Sequence, residues 1–292
     1  MMLRNVLAIA LVLVAPTSVF AQSTDVSAVS AAQAANRINI AGRQRMLSQR
    51  MAKAACLMAQ DISTTTAYDQ LTQAHSLFIR SDSALRKGDP EFGLAPEEFS
   101  SVLEALEEID PHWTIYRDIV DVGIENAAIE SADLEVLDNA SLNVLEFMNA
   151  AVYTTAQAYA SATPEVPLGL AMTIDVAGRQ RMLTQKAVKE ACLMRVATDP
   201  AVQAARLAET VDLFDHSLVA LLDGFPAAGV IPPSNPELSR KLREVSDLWG
   251  PVKEILDRAV AKEQLTDRDL AALARKTEPL LRTMNEAVIM YR

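Results

Sequence analysis

The chain has 292 residues, 38 of them acidic and 27 basic, for a formal charge of −11 and a pI near 4.8. That balance counts against nucleic acid or an anionic membrane surface as the main partner, since both are met by clustered Lys and Arg. Half the residues are hydrophobic, glycines number nine and aromatics make up 5%; such a chain can bury a core and favours helix over strand.

Residues 1–21 read as a signal peptide: Arg4 supplies the positive start, Val6 to Val14 the apolar stretch and Val19-Phe20-Ala21 the cleavage site. Cleavage leaves Gln22 as the mature N-terminus, and Gln in place of Cys argues against lipoprotein processing. An uncleaved anchor is the alternative. No later stretch offers 18 consecutive apolar residues, so the expected product is an exported, periplasmic protein without an integral membrane segment.

The first half, 22–162, reads as four helices at 25–61, 64–87, 95–127 and 131–161, with breaks at Gly88-Asp89-Pro90 and near Gly123. A Pro-bearing connector follows over 161–167. The second half, 163–292, reads as helices at 168–196, 199–223, 235–262 and 266–291. The halves are one unit written twice. Ile38 to Gln49 recurs as Ile174 to Gln185, Ala55-Cys56-Leu57-Met58 as Ala191-Cys192-Leu193-Met194, Trp113 as Trp249 and Met148-Asn149 as Met284-Asn285, all at an offset of 136. Apolar residues Ile40, Leu47, Met51, Ala54 and Met58 form a single helical stripe. The expected fold is all-α, with two tandem up-down four-helix bundles forming an intrachain pseudo-dimer.

The repeated motif concentrates positive charge. Arg37, Arg43, Arg45, Arg50 and Lys53 run without an intervening acid, as do Arg179, Arg181, Lys186 and Lys189, together nine of the 27 basic residues. A solvated cationic face is the ordinary reading. Against it, Gly42 and Gly178 sit inside predicted helix, where Gly costs about 1 kcal/mol relative to Ala, pointing to close approach of a helix or a small ligand. Arg45, Gln49, Ala52 and Cys56 share one stripe, repeated by Arg181, Gln185, Val188 and Cys192. If the first helices of the two halves face each other, Arg45 and Arg181 meet across the pseudo-axis. Two guanidinium groups about 4 Å apart repel by up to ~4 kcal/mol at an effective dielectric of 20, and a small planar anion would convert that repulsion into forked hydrogen bonds. Arg43 lies about 200° around the helix from Arg45, so Arg43 and Arg179 are flanking candidates, with Gln49 and Gln185 as further secondary ones.

Cys56 and Cys192 are repeat-equivalent and lie on the face of the motif arginines. A disulfide across the pseudo-axis and two small buried thiols are both open; the thiols are favoured because Cα atoms more than ~7 Å apart cannot be bridged. His75, His112 and His216 have no metal-ligand spacing, and Trp113 and Trp249 read as packing anchors. No nucleophile–base order, haem-attachment motif, phosphate loop or helical zinc motif is present in the sequence, so neither an enzyme nor a cofactor is expected.

Ile38 to Met46 resembles the periplasmic box of bacterial nitrate/nitrite sensor kinases. The longer run Ala41-Gly42-Arg43-Gln44-Arg45-Met46-Leu47-Ser48-Gln49-Arg50-Met51-Ala52-Lys53-Ala54 is closer to the N-terminal sensor module of type IV pilus methyl-accepting chemotaxis transducers of the PilJ type. The resemblance implies an all-helical sensor bundle. It also implies one anion between the first helices, held by Arg45 and Arg181 and by backbone near Gly42 and Gly178. Three features depart from the pattern: the chain ends at Arg292 without transmembrane or output segments, Asn39 becomes Asp175 in the second repeat, and Arg43-Gln44 replaces the usual Ser-Leu of the nitrate sensors. The expectation is an exported module that captures a small oxyanion, nitrate or nitrite first, and reports to a separate membrane sensor, transducer or transporter. A ligand-free helical adaptor for a pilus, chemosensory or transport complex is the alternative.

Overall fold

The computed structural model describes residues 30–162 and 167–291; the signal peptide expected at 1–21 lies outside the described residues, as does most of the expected connector. Nine α-helices are present among them and no β-strand, only two isolated bridges. The first half contains α1 (Ala31–Ala59), α2 (Thr64–Lys87), α3 (Ser100–Glu107), α4 (Asp110–Glu125) and α5 (Leu134–Ala162). The second contains α6 (Leu168–Leu193), α7 (Pro200–Asp223), α8 (Pro236–Val260) and α9 (Asp267–Ile289).

Local chemistry sets most of these ends. Ser30 caps α1 in a capping box with Gln33, and Thr266 does the same for α9 with Asp269. Asp199 and Asn235 accept backbone N–H groups at the starts of α7 and α8. Gly88 and Gly224 end α2 and α7 at φ of 79° and 81°, where a side chain would be strained.

One expected element is divided. The helix read over 95–127 begins only at Ser100 and breaks at Glu108-Ile109 into α3 and α4. Pro111 sits in the first turn of α4, lacks an N–H and would crowd the carbonyl four residues back, so the chain starts a new helix there. The equivalent position in the second half is Asp247, and α8 runs unbroken past it. The tryptophans keep their equivalence across this difference: Trp113 stacks on Phe78 at 4.1 Å between ring centroids and Trp249 on Phe214 at 3.9 Å.

At the centre, α1 and α6 pack against each other more extensively than any other pair of helices. Contacts run from Arg181 with Asn39 and Arg45 with Asp175 to Cys56 with Cys192, so the two helices are parallel and nearly in repeat register. Helix α1 is further enclosed by α2 and α5, and α6 by α7 and α9. Both central helices are buried nearly all round, including Arg37, Gln44, Arg45, Gln49 and Lys53 on α1 and Gln180, Arg181, Gln185, Lys189 and Glu190 on α6. Apolar residues from both halves form one continuous core. A polar helix in that position demands a partner for each charged group.

Candidate functional site

Arg45 and Arg181 converge on the seam between α1 and α6. Nη2 of Arg45 lies 3.3 Å, and Nη2 of Arg181 3.7 Å, from the point that a Cβ on Gly42 would occupy. At Gly178 the corresponding distances are 3.6 and 3.2 Å. The glycines therefore leave the space into which both guanidinium groups fold, and a methyl group at either would press on them. Arg45 and Arg181 are 1% and 2% exposed, fully removed from bulk water.

The outer halves of the two guanidinium groups are held alike. Arg45 Nη1 donates to Asn149 Oδ1 at 3.1 Å and Arg181 Nη1 to Asn285 Oδ1 at 2.8 Å. Each Nη2 donates across the seam, Arg45 to the carbonyl of Asp175 and Arg181 to that of Asn39, both at 3.3 Å. Asn149 and Asn285 recur in the sequence at the repeat offset, but nothing there shows that the fourth helical segment reaches back to the motif arginine.

The pseudo-symmetry breaks at Asp175. Its Oδ1 lies 2.6 Å from Arg45 Nη2, and its Oδ2 accepts from Arg179 Nη2 at 2.9 Å. Burial pushes the Asp175 carboxyl up, but Arg45 and then Arg179 outweigh it and hold it below the ordinary carboxylate range. Burial also lowers the Arg45 guanidinium, which Asp175 partly offsets. The arrangement is a cationic pair carrying one resident carboxylate.

The secondary candidates scatter. Arg43 donates to Ser81 Oγ at 2.9 Å and lies over the Phe92 ring at 5.1 Å, within its own repeat and away from the seam. Arg179 donates to Asp175, the carboxylate that Arg45 also meets. Gln49 donates to the Ser141 carbonyl and Gln185 accepts from Arg50, so the structure brings neither amide to the guanidinium groups. Residues four apart sit a full turn along the axis, and at that level Gln49 meets α5 while Gln185 meets Arg50 of α1.

A second set of charges lies further along the seam. Lys53 Nζ meets Glu278 Oε1 at 3.3 Å while Arg50 binds both oxygens of Glu278, at 2.9 and 2.7 Å. The repeat mate of Lys53 is Lys189, which pairs with Asp138 at 2.6 Å. Gln203 and Arg206 complete the Asp138 carboxylate. Burial, and then Arg50, pushes Lys53 from the ordinary 10.5 to about 8, with Glu278 pulling the other way; burial likewise lowers Lys189. Each lysine is thus neutralised from the other repeat. The positions equivalent to Asp138 and Glu278 are Ala274 and Leu142. Acids that break an internal repeat were the available signal for these partners, and it is invisible unless the two halves are compared residue by residue.

Cys56 and Cys192 form a disulfide in the structure, with Sγ atoms 2.14 Å and Cα atoms 6.3 Å apart; the preference for two separate thiols does not hold. Parallel packing in near-perfect register brings equivalent residues of α1 and α6 to the same depth. The histidines lie elsewhere, His75 beside Asp121, His112 stacked on Phe147 and His216 on its own helix. Among the described residues, no group of three or more His, Cys, Asp or Glu is placed to hold a metal ion, and no helix is long and apolar enough to cross a membrane.

Comparison with known proteins bears on this geometry. Methyl-accepting chemotaxis protein McpN of Pseudomonas aeruginosa is 32% identical over 117 residues, 40% of this chain and 21% of that protein. The chain thus spans about a fifth of that relative's length. Residues 28–139 and again 167–275 match the family described as the type IV pili methyl-accepting chemotaxis transducer N-terminal region, PilJ. Two family matches, an all-helical fold and two central helices related by the repeat place the chain in one class: it belongs to the PilJ family and carries that sensor-type unit twice.

Proposed function

We propose that this protein is an exported, non-enzymatic sensor that captures one small oxyanion, nitrate or nitrite first, between its two repeats and reports occupancy to a separate membrane transducer, sensor or transporter. The observation that carries the reading is the convergence of Arg45 and Arg181, from different repeats, over the two in-helix glycines Gly42 and Gly178. Arginine suits the task because its planar donor array matches the edge of a planar oxyanion. Family membership supports a sensory role, and the name of the relative McpN supports a chemotactic setting.

Titration calorimetry of the purified protein with nitrate, nitrite and sulfate tests this. Binding of at least one anion, lost in Arg45→Ala/Arg181→Ala while helical content is kept, is the expected result. Silence with all three would sink the reading. A ligand-free adaptor is the second reading, and the ion pair between Arg45 and Asp175 favours it, because a motif arginine is there already neutralised within the fold. Retention of a partner complex by the double alanine variant, without anion binding by the natural protein, would select it.

A further inference from the structure

Around the arginine pair nearly every group has a repeat mate of the same chemistry: Gly42 and Gly178, Arg45 and Arg181, Asn149 and Asn285, and the carbonyls of residues 39 and 175. The exception is the side chain at 39 and 175. Asn39 and Asp175 are both buried, at 6% and 5% exposure, and nearly isosteric. Neither Asn39 Oδ1 nor Asp175 Oδ1 has an aligned hydrogen bond, but Asp175 Oδ1 is charged and forms an ion pair with Nη2 of Arg45 at 2.6 Å. That nitrogen lies 3.3 Å from the Cβ position of Gly42 and 3.6 Å from that of Gly178. The carboxylate is therefore a tethered anion beside the arginine pair, shared between Arg45 and Arg179, and the site carries one unit of positive charge less than it would with Asn on both sides.

In a site removed from water, one unit of charge changes which anions can be held, because solvent screening is weak there. We propose that Asp175 is the charge selector of this site, admitting a monovalent oxyanion and rejecting a divalent one. The inference rests on the oxyanion reading above and adds to it the ligand's charge class and the residue that sets it. Asp175 is a specificity determinant whose influence passes through Arg45. The same substitution in a symmetric pair would do nothing to shape, since Asn and Asp differ by one atom type.

The test is titration calorimetry with sodium nitrate and sodium sulfate on the natural protein, Asp175→Asn and Asn39→Asp, with thermal melts to verify folding. Asp175→Asn is expected to bind nitrate at least tenfold more tightly and to gain measurable sulfate binding. Asn39→Asp, which adds a second carboxylate at the equivalent place, is expected to weaken nitrate at least tenfold without lowering helical content. Nitrate affinity unchanged within twofold in both variants, or weakened in Asp175→Asn, overturns the selector role while leaving the oxyanion site standing. No binding of either anion by the natural protein or Asp175→Asn overturns both, so the two failures are distinguishable.

Discussion

A lysine buried without water must either find a carboxylate or lose its proton, and Lys53 does some of each. Burial and the neighbouring Arg50 lower it to about 8, against an ordinary 10.5, although Glu278 is within reach. Between these values the unfolded chain binds more protons than the folded one, so stability must rise with pH across that interval. Below about 8 both states carry the proton and the burial cost is present in full; above about 10.5 it is gone. The shift corresponds to about 3 kcal/mol at most. Lys189, lowered by burial in the same direction, adds to the trend. Replacing Lys53 by Met should remove part of this slope. Urea unfolding of the natural protein and Lys53→Met at pH 7.5 and 10 checks it, and a natural protein that gains nothing relative to the variant contradicts it.

At the scale of the element, the two halves solve one packing problem with different parts. The aromatic stack is kept in both, but α8 is continuous where Pro111 divides its counterpart into α3 and α4. Trp249 is buried and donates its indole N–H to Asp215 at 2.7 Å, whereas Trp113 is half-buried on a shorter helix. Removal of a buried Trp side chain costs about 3–5 kcal/mol through lost burial and an unfilled cavity. Trp249→Ala should therefore destabilise by about that amount, and Trp113→Ala by less. Equilibrium urea unfolding of the two variants measures the order; equal losses would mean that the stack is energetically equivalent in both repeats. The periodic apolar stripe made both bundles legible in the sequence, since helical spacing records burial directly. The break at Pro111 is legible too as a proline within a helical run, but the breaks read from the sequence are Gly88-Asp89-Pro90 and the region of Gly123, at the two ends of that element.

For the whole molecule, the disulfide between Cys56 and Cys192 closes a loop that spans one full repeat, 136 residues. On the chain-entropy account, such a loop stabilises the folded protein by about 5 kcal/mol through the unfolded state. Cys56→Ala/Cys192→Ala should lose up to that much stability while keeping its helical content, read from urea unfolding followed by circular dichroism. A loss below 1 kcal/mol would mean that packing of α1 on α6 already restrains the unfolded ensemble. The covalent link works together with the ion pairs that cross the seam, Arg45 with Asp175, Lys53 with Glu278 and Lys189 with Asp138. Their acids occur in one repeat only, and for Arg45 this matters most: a second copy of the first half would place Asn39 where Asp175 stands and leave Arg45 without a carboxylate.

What the sequence determined by itself was the class of fold and the duplication, because helical periodicity and an ungapped offset are one-dimensional properties; the facing of the two first helices was a condition there, and the packing of α1 on α6 supplies it. The sequence also singled out Arg45, Arg181, Gly42 and Gly178, since a glycine and an arginine placed twice against local preference stand out without coordinates. Tertiary structure alone decided which groups satisfy those arginines. Asn149 and Asn285 come from the last helix of each repeat, and Asp175 from the opposite repeat, at separations that no local pattern encodes. It decided equally that Gln49 and Gln185 turn away and that the cysteines meet. The physical reason is common to all of these: burial removes water as a partner, so each polar group is settled by what lies across the seam in space and not by what lies beside it in the chain.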